Sequence, residues 1–295
     1  MKLPAFIFLA AVTAASAQQN ARPLPDGYLA KRDVAYVSGG SERQRLDVFF
    51  PEKSDKPVPL IVWIHGGASS AGSKDRCPAL RFLEDGYAVA SVTYRFSQHA
   101  VFPAQIEDCR AAIRWLRAHA AELNIDPERI GAWGSSAGGH LVALLGVTGD
   151  KTDWDTGENL DQSARVQAVV NWFGPADLLT MGAQSSADSR IRHDDANSPE
   201  SRLVGGAVQE QKEKSRAASP VTYATKDDAP MLLMHGDRDQ LVPHAQSIEL
   251  RDALQKVGAE ATLQTLPDSG HGDGAFSKRE TFEAVRAFFA RHLKK

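Results

Sequence analysis

The sequence predicts an α/β protein built on one doubly wound, mostly parallel sheet of about eight strands flanked by helices. Two observations lead to this fold class. Strand-like and helix-like segments alternate along the chain with short turns, and several strand-like segments are continuous apolar runs, which is typical of strands buried on both faces. No repeat and no linker interrupts the alternation, so we expect a single domain over residues 18–295.

The N-terminal half of the alternation supplies four strands and two helices. The first two strands alternate apolar and polar residues around a Gly-Gly pair, which predicts a hairpin at the edge of the sheet. The predicted elements are, in order, strands 33–38, 43–50 and 58–64, a short helix 78–83, strand 87–93 and helix 103–123. Pro103 suits the start of the last helix, where its missing N–H costs nothing.

The C-terminal half continues in the same way. The predicted elements are strand 129–133, helix 137–146, strands 166–172 and 230–234, helix 246–257, strand 261–266 and helix 280–293. The segment 177–220 does not fit, because it is polar and far longer than an ordinary connection. We expect it to be an insertion that lies over one edge of the sheet, and the alternative is a disordered loop.

Composition excludes several classes of function. The chain is 42% hydrophobic and 24% charged, and 34 basic against 37 acidic residues give a formal charge of −3 without any block of like charge. Nucleic acid and anionic membrane surfaces are therefore poor candidates for a partner, since both need a basic patch. The two cysteines, Cys77 and Cys109, form no zinc pattern, and no histidine pair has ligand spacing on a helix. We expect no metal and no cofactor.

The first seventeen residues differ from the rest of the chain. A lysine is followed by an uncharged apolar run, and residues 15–17 (Ala-Ser-Ala) match the small-x-small site that signal peptidase reads. The run is too short to span a bilayer, which disfavours a membrane anchor and stable membrane insertion. We expect a signal peptide over residues 1–17, cleavage near Ala17 and an exported protein, periplasmic or extracellular. Export would permit a Cys77–Cys109 disulfide, which the sequence leaves open.

Residues 134–138 read Gly-Ser-Ser-Ala-Gly, a match to G-x-S-x-G. A buried strand runs directly into the motif and an apolar helix runs out of it, which is the strand–turn–helix context of a nucleophile elbow. This frame selects Ser136 as the nucleophile and leaves Ser135 at the variable position. Gly134 and Gly138 fit because a side chain at either position would collide with the neighbouring strand or helix. The structural alternative is a glycine-rich helix start packed against a strand.

A serine hydroxyl needs a base within hydrogen-bond reach. Among nine histidines, His271 follows the last predicted strand, at the carboxyl edge of the sheet where catalytic groups of open α/β sheets collect. An acid must orient the imidazole, and Asp237 and Asp239 both follow the preceding strand. The residues alone leave both aspartates open. The chain order serine, aspartate, histidine is that of α/β-hydrolases.

The tetrahedral intermediate of acyl transfer also needs N–H donors aimed at a developing oxyanion. Residues 65–68 (His-Gly-Gly-Ala) follow strand 58–64, and their two glycines let the backbone approach a substrate closely. The N–H of Ala137, directly after the nucleophile, is the expected partner donor. Taken alone, His-Gly-Gly could be only a tight turn.

The set HGGA, GSSAGG, HGDRDQLVP and SGHG, in this order, resembles α/β-hydrolase carboxylesterases of the hormone-sensitive-lipase type. Residues 94–120 and 198–239 are especially similar to the bacterial BD-FAE-like esterases, named after a feruloyl esterase. The resemblance covers about residues 43–293. It implies an α/β-hydrolase fold, a catalytic triad and an oxyanion hole, formed by Ser136, Asp239 and His271 and by the N–H groups of Gly67, Ala68 and Ala137. Ala68 stands where the family commonly has a third glycine, followed by a tryptophan that is missing here, which bears on the shape of the pocket.

We expect an exported serine carboxylester hydrolase that forms an acyl-enzyme and acts on a small-molecule or polysaccharide-linked ester. One alternative is a serine peptidase or amidase on the same fold, since residues 235–243 resemble prolyl-oligopeptidase-like enzymes. Those enzymes carry a large β-propeller, for which a mature chain of this length has no room. The other alternative is a non-catalytic hydrolase fold used for binding, which would be expected to have lost a triad residue. The acyl group, the alcohol group and the oligomeric state stay open.

Overall fold

The computed structural model describes residues 24–294 and contains one eight-stranded sheet. The strands are β1 (Tyr28–Ala35), β2 (Arg45–Pro51), β3 (Val58–Ile64), β4 (Ala88–Val92), β5 (Ile125–Ser135), β6 (Ala168–Trp172), β7 (Met231–Gly236) and β8 (Ala261–Leu266). Their order across the sheet is β1-β2-β4-β3-β5-β6-β7-β8. The β1–β2 and β2–β4 pairs are antiparallel, and every pair from β4–β3 to β7–β8 is parallel. The predicted doubly wound, mostly parallel sheet with an antiparallel edge hairpin is confirmed.

Seven α-helices connect or cover the strands. They are α1 (Ala104–Ala118), α2 (Ala137–Val147), α3 (Met181–Gln184), α4 (Pro199–Val204), α5 (Lys212–Ala217), α6 (Ala245–Lys256) and α7 (Arg279–Leu293). Short 3-10 helices occur at Pro78–Phe82, Pro220–Tyr223 and Gly274–Ser277. Within residues 24–294, no helix is long and apolar enough to cross a membrane. The expected signal peptide, residues 1–17, lies outside the described part of the chain.

The sheet separates two hydrophobic clusters because successive side chains of a strand point to opposite faces. In β3, Leu60, Val62 and Ile64 belong to one cluster, whereas Ile61 and Trp63 belong to the other. Helices α1, α2 and α6 cover the first face, and α7 with the 3-10 helix Pro78–Phe82 covers the second. Burial on both faces explains why the central strands read as continuous apolar runs.

Two of the predicted boundaries that are wrong have a clear physical reason. The edge strand, predicted at 33–38, is β1 and begins at Tyr28. Most of its side chains are exposed, so its position depends on backbone pairing with β2 and not on an apolar pattern. The helix predicted to reach residue 123 ends at Ala118. Leu123 is still buried, so the apolar stripe continues past the last helical turn.

The segment 177–220 is an ordered insertion that contains α3, α4 and α5. Its apolar residues, among them Leu178, Met181 and Leu203, join the first hydrophobic cluster. The alternative of a disordered loop is therefore wrong. Most residues of this segment are polar, which makes its composition similar to that of a loop, but its few apolar side chains are buried and hold it against the core.

The two cysteines lie on opposite faces of the sheet. Cys109 is buried on α1 within the first cluster, whereas Cys77 precedes the 3-10 helix Pro78–Phe82 and packs against the second cluster. Both thiols are free. A disulfide that would have to cross the sheet is impossible, so the pairing that the sequence left open does not form.

Candidate active site

The turn between β5 and α2 forms the elbow that the sequence predicts. Ser136 is the N-cap residue of α2 and has φ 55° and ψ −123°, a strained conformation for a residue with a side chain. A Cβ atom added to Gly134 would lie 2.3 Å from the carbonyl oxygen of Gly138, and one added to Gly138 would lie 2.0 Å from the carbonyl oxygen of Ile64. Glycine is therefore required at both positions, because strand and helix backbones meet here.

Ser136, His271 and Asp239 come together at the carboxyl edge of the sheet. The Oγ atom of Ser136 lies 2.9 Å from Nε2 of His271, and Nδ1 of His271 lies 2.7 Å from Oδ2 of Asp239. Asp239 follows the end of β7, and His271 follows the end of β8. Asp237, the other aspartate that the sequence left open, is exposed and makes no contact with His271 in the described structure. The geometry selects Asp239.

The other oxygen of the Asp239 carboxylate also has partners. Oδ1 accepts hydrogen bonds from the backbone N–H groups of Leu241 at 2.8 Å and Val242 at 3.0 Å. Burial by itself would raise the pKa of Asp239, but hydrogen bonds from His235 and His271 outweigh it and hold the pKa well below its usual range. Asp239 is therefore an anion that faces the imidazole of His271.

His235 is a site residue that the sequence analysis missed. It is fully buried near the end of β7, with Nε2 3.3 Å from Oδ2 of Asp239 and 3.0 Å from the carbonyl oxygen of Val242. Its Nδ1 lies 2.7 Å from Oγ of Ser247, so both ring nitrogens have partners. The only signal in the sequence is a histidine that closes an apolar strand four residues before the acid.

The loop after β3 lies directly against the nucleophile. A Cβ atom added to Gly66 would lie 3.1 Å from Cβ of Ser136. Gly67 and Ala68 have φ values of +117° and +53°, and no described residue accepts a hydrogen bond from their backbone N–H groups. Ala137 is the first residue of α2, where an N–H group has no intrahelical acceptor. These predicted donors line the same cavity as Ser136.

His65 holds this loop in place. Its Nδ1 lies 2.7 Å from the carbonyl oxygen of Gly66, and its ring stacks on Tyr94 with the centroids 4.7 Å apart. The hydroxyl of Tyr94 donates a hydrogen bond to the carbonyl oxygen of His65 at 3.0 Å. Burial lowers the pKa of His65 to about 4, so the ring is neutral near pH 7 and donates from Nδ1–H to Gly66. In the sequence, His65 is visible only as part of a motif, and nothing there predicts its contact with Gly66.

A cavity of about 660 Å³ opens above Ser136. The insertion supplies an apolar wall, which includes Leu178, Ile191 and Leu203. The insertion thus lies over the carboxyl edge of the sheet, as expected. Within residues 24–294, no group of three or more histidine, cysteine or acidic side chains has metal-binding geometry. The arrangement combines a hydroxyl nucleophile, a base, an acid and free N–H donors beside a cavity, which is the set of groups that acyl transfer needs.

Comparisons with known proteins agree with this architecture. The BD-FAE family model matches residues 46–254. Esterase LipC of Mycobacterium tuberculosis is 31% identical over 257 residues, which cover 84% of this chain and 62% of LipC. The chain spans about three fifths of the length of the first curated relatives that it matches.

Two solved structures are similar at 34% identity. A truncated form of a carbohydrate esterase from gut microbiota has a TM-score of 0.85, with 92% of this chain and 99% of that chain covered. A bifunctional GH43-CE protein of Bacteroides eggerthii has a TM-score of 0.81, with 89% of this chain and 35% of that chain covered.

The buried His65 predicts a pH dependence of stability. The folded state holds the pKa of His65 at about 4, whereas the unfolded chain takes up the proton near the ordinary value of about 6.5. His65 therefore contributes about 3 kcal/mol to the free energy of unfolding above about pH 6.5, and this contribution is lost as the pH falls toward 4. Urea unfolding at pH 7 and pH 4.5 measures the loss.

His65→Asn should reduce this difference in unfolding free energy, because the titrating ring is gone while a side-chain N–H remains to reach Gly66. His99→Asn is the matched control, because His99 is exposed and should leave the difference unchanged. An equal pH dependence in wild type and His65→Asn would contradict the assignment.

Proposed function

The chain belongs to the BD-FAE family of α/β-hydrolase proteins, and from this membership we propose that it is a serine carboxylester hydrolase that works through an acyl-enzyme. The observation that carries the proposal is the hydrogen-bonded series from Ser136 through His271 to Asp239, with distances of 2.9 and 2.7 Å, beside unpaired N–H groups. Similarity to proteins named as esterases favours ester over amide substrates. An intact series of the three residues argues against a fold used only for binding.

In the proposed acylation step, Oγ of Ser136 attacks the carbonyl carbon of the ester while Nε2 of His271 accepts the hydroxyl proton. The carbonyl oxygen becomes an oxyanion that accepts hydrogen bonds from the N–H groups of Gly67, Ala68 and Ala137. The tetrahedral intermediate then collapses. The carbon–oxygen bond to the alcohol breaks, and the departing oxygen takes the proton from His271, which leaves the acyl group on Ser136.

Deacylation repeats these transfers with water as the nucleophile. A water molecule gives a proton to Nε2 of His271 while its oxygen attacks the acyl carbon to form a second tetrahedral intermediate. The bond between the acyl carbon and Oγ of Ser136 then breaks, Oγ takes the proton back from His271, and the carboxylic acid is released. The anionic Asp239 stabilises the imidazolium in both steps and fixes the tautomer with Nδ1–H. Its hydrogen bonds from His235, Leu241 and Val242 keep the carboxylate charged and immobile.

The proposed substrates are esters of carbohydrates, alongside small-molecule esters. The two similar structures at 34% identity are described as a carbohydrate esterase and a GH43-CE protein. A cavity of about 660 Å³ has room for a monosaccharide with a short acyl group.

Export is the second part of the proposal. The apolar run and the Ala-Ser-Ala sequence of residues 15–17 support it. In a bacterial host, the protein should be recovered outside the cytoplasm with Gln18 as its first residue, as determined by cell fractionation and N-terminal sequencing. Recovery of cytoplasmic protein that still begins at Met1 would reject export.

The nucleophile assignment predicts that Ser136→Ala lowers kcat on p-nitrophenyl acetate by about 10⁴-fold or more, because no other hydroxyl among residues 24–294 makes a hydrogen bond to His271. Ser135→Ala is the matched control in the neighbouring position and should keep most of the activity. Circular dichroism checks that both variants fold. Loss of activity in Ser135→Ala with retention in Ser136→Ala would move the nucleophile.

The acid assignment predicts that Asp239→Asn lowers kcat by about 10⁴-fold, because the neutral amide neither stabilises the imidazolium nor fixes the tautomer of His271. Asp237→Asn changes an exposed side chain and should cost little. Steady-state kinetics of the two variants tests the choice. A larger loss in Asp237→Asn would be incompatible with the geometry described above.

A further inference from the structure

A carboxylate lies in the cavity wall that the insertion builds. Glu200, in the first turn of α4, lines the cavity and is 7% exposed. The other insertion residues that line the cavity are apolar: Leu178, Ile191, Pro199 and Leu203. Ser198 fixes the start of α4, since its side chain accepts a hydrogen bond from the N–H of Ser201 at 3.0 Å. Burial of a carboxylate is unfavourable in free energy unless a hydrogen-bond donor pairs with it, so we expect Glu200 to have a donor nearby.

His193 supplies one such partner. Its Nδ1 lies 2.9 Å from Oε2 of Glu200, and the residue is 1% exposed. Its other ring nitrogen, Nε2, is buried and has no hydrogen-bond partner in the described chain. His193 donates its Nδ1–H to Glu200 and thereby fixes one oxygen of the carboxyl group.

The second oxygen of Glu200 has no such donor. No group within residues 24–294 makes a hydrogen bond to Oε1, and Glu200 lines the cavity. Oε1 is thus the oxygen left for a ligand. The buried pair therefore presents the oxygen Oε1 to the cavity as a hydrogen-bond acceptor.

His140 adds to the acceptor character of the same cavity. Its Nε2 lies 2.6 Å from the carbonyl oxygen of Ala218, and burial lowers the pKa of its ring. The neutral ring donates from Nε2–H to Ala218, which leaves Nδ1 without a proton. Glu200 and His140 both line the cavity that contains Ser136, so a ligand beside them is favoured when it brings hydrogen-bond donors.

We propose that Glu200, oriented by His193, forms a subsite for a hydroxyl group of the alcohol part of the ester, as found in a sugar. This inference rests on the proposed function and specifies its substrate class. A hydroxyl donates to Oε1 and satisfies the carboxylate, whereas an apolar ring of the same size leaves it unpaired. An anionic substituent is repelled.

Selectivity of this kind is large, because a site built to bind a hydroxyl rejects the analogue that lacks it. The test compares two acetate esters that share the acyl group and differ in the ring: a monoacetate of methyl β-xylopyranoside and cyclohexyl acetate. The first ring carries hydroxyl donors and the second has none. The values of kcat/KM are measured for wild type, Glu200→Leu, Glu200→Gln and Glu210→Gln.

We expect wild type to prefer the xyloside acetate and Glu200→Leu to lose about 10- to 100-fold in kcat/KM on it, mostly through KM, with little change on cyclohexyl acetate. Glu200→Gln keeps the size of the side chain and one acceptor, so its loss should be smaller. Glu210→Gln changes an exposed glutamate of the same insertion and should alter neither value. Inhibition of p-nitrophenyl acetate hydrolysis by methyl β-xylopyranoside should weaken in parallel in Glu200→Leu.

The proposal is overturned if the ratio of the two kcat/KM values is the same in wild type and both Glu200 variants, or if both substrates lose activity equally. If Glu200→Leu does not fold, the ratio in Glu200→Gln decides. A wild-type preference for cyclohexyl acetate, or for an ester of an amino alcohol, also rejects it. Absence of wild-type activity on every ester, p-nitrophenyl acetate included, would reject the esterase proposal itself and the subsite with it.

Discussion

The close approach of three backbones at Ser136 is the constraint on which the rest of the site depends. Ile64 at the end of β3 pairs in register with Gly134 of β5, so the loop after β3 and the turn after β5 emerge side by side. Gly138 lets α2 start against the carbonyl oxygen of Ile64, and the N–H of Ser136 donates to the carbonyl oxygen of Trp172 at 2.8 Å. The strained backbone of Ser136 persists because the surrounding strands hold it from several sides. The same packing places the nucleophile and the free N–H groups together.

The parallel order of the sheet brings the base and the acid to this point. β7 and β8 end at the same edge, so the loops that carry Asp239 and His271 meet although 32 residues separate the two side chains. A buried carboxylate is stable there because hydrogen bonds reach both oxygens. His235 therefore holds the carboxylate of Asp239 in position, just as His65 holds the loop after β3. Each is a buried ring whose hydrogen bonds fix a group that would otherwise move.

Sequence reasoning succeeded where local pattern and tertiary environment agree. Strand β3 was predicted with its exact bounds because burial on both faces makes every residue apolar, and the tight turn at Ser136 was predicted because its glycines are required locally. The edge strand β1 was misplaced because pairing, and not burial, defines it. The residues alone left Asp237 and Asp239 open because they differ by two positions in one turn. The roles of His235, Glu200 and His193 were not predicted because each depends on burial and on the direction of a side chain at a strand end or helix start, which no periodic pattern encodes.

The sheet and the insertion supply different parts of the site. The sheet edge carries the proposed reacting groups, and the insertion builds an apolar wall of the same cavity. The insertion is not independent of the acid. At its start, Oε1 of the buried Gln246 accepts from the N–H groups of Ala176 and Asp177 at 2.7 and 2.8 Å. Further along, the N–H of Arg190 donates to the carbonyl oxygen of Gln240, the residue after Asp239, at 2.9 Å. The insertion that carries Glu200 is thus hydrogen-bonded to the loop that carries Asp239. A substrate group bound to Glu200 would therefore have a fixed position relative to Ser136 and His271.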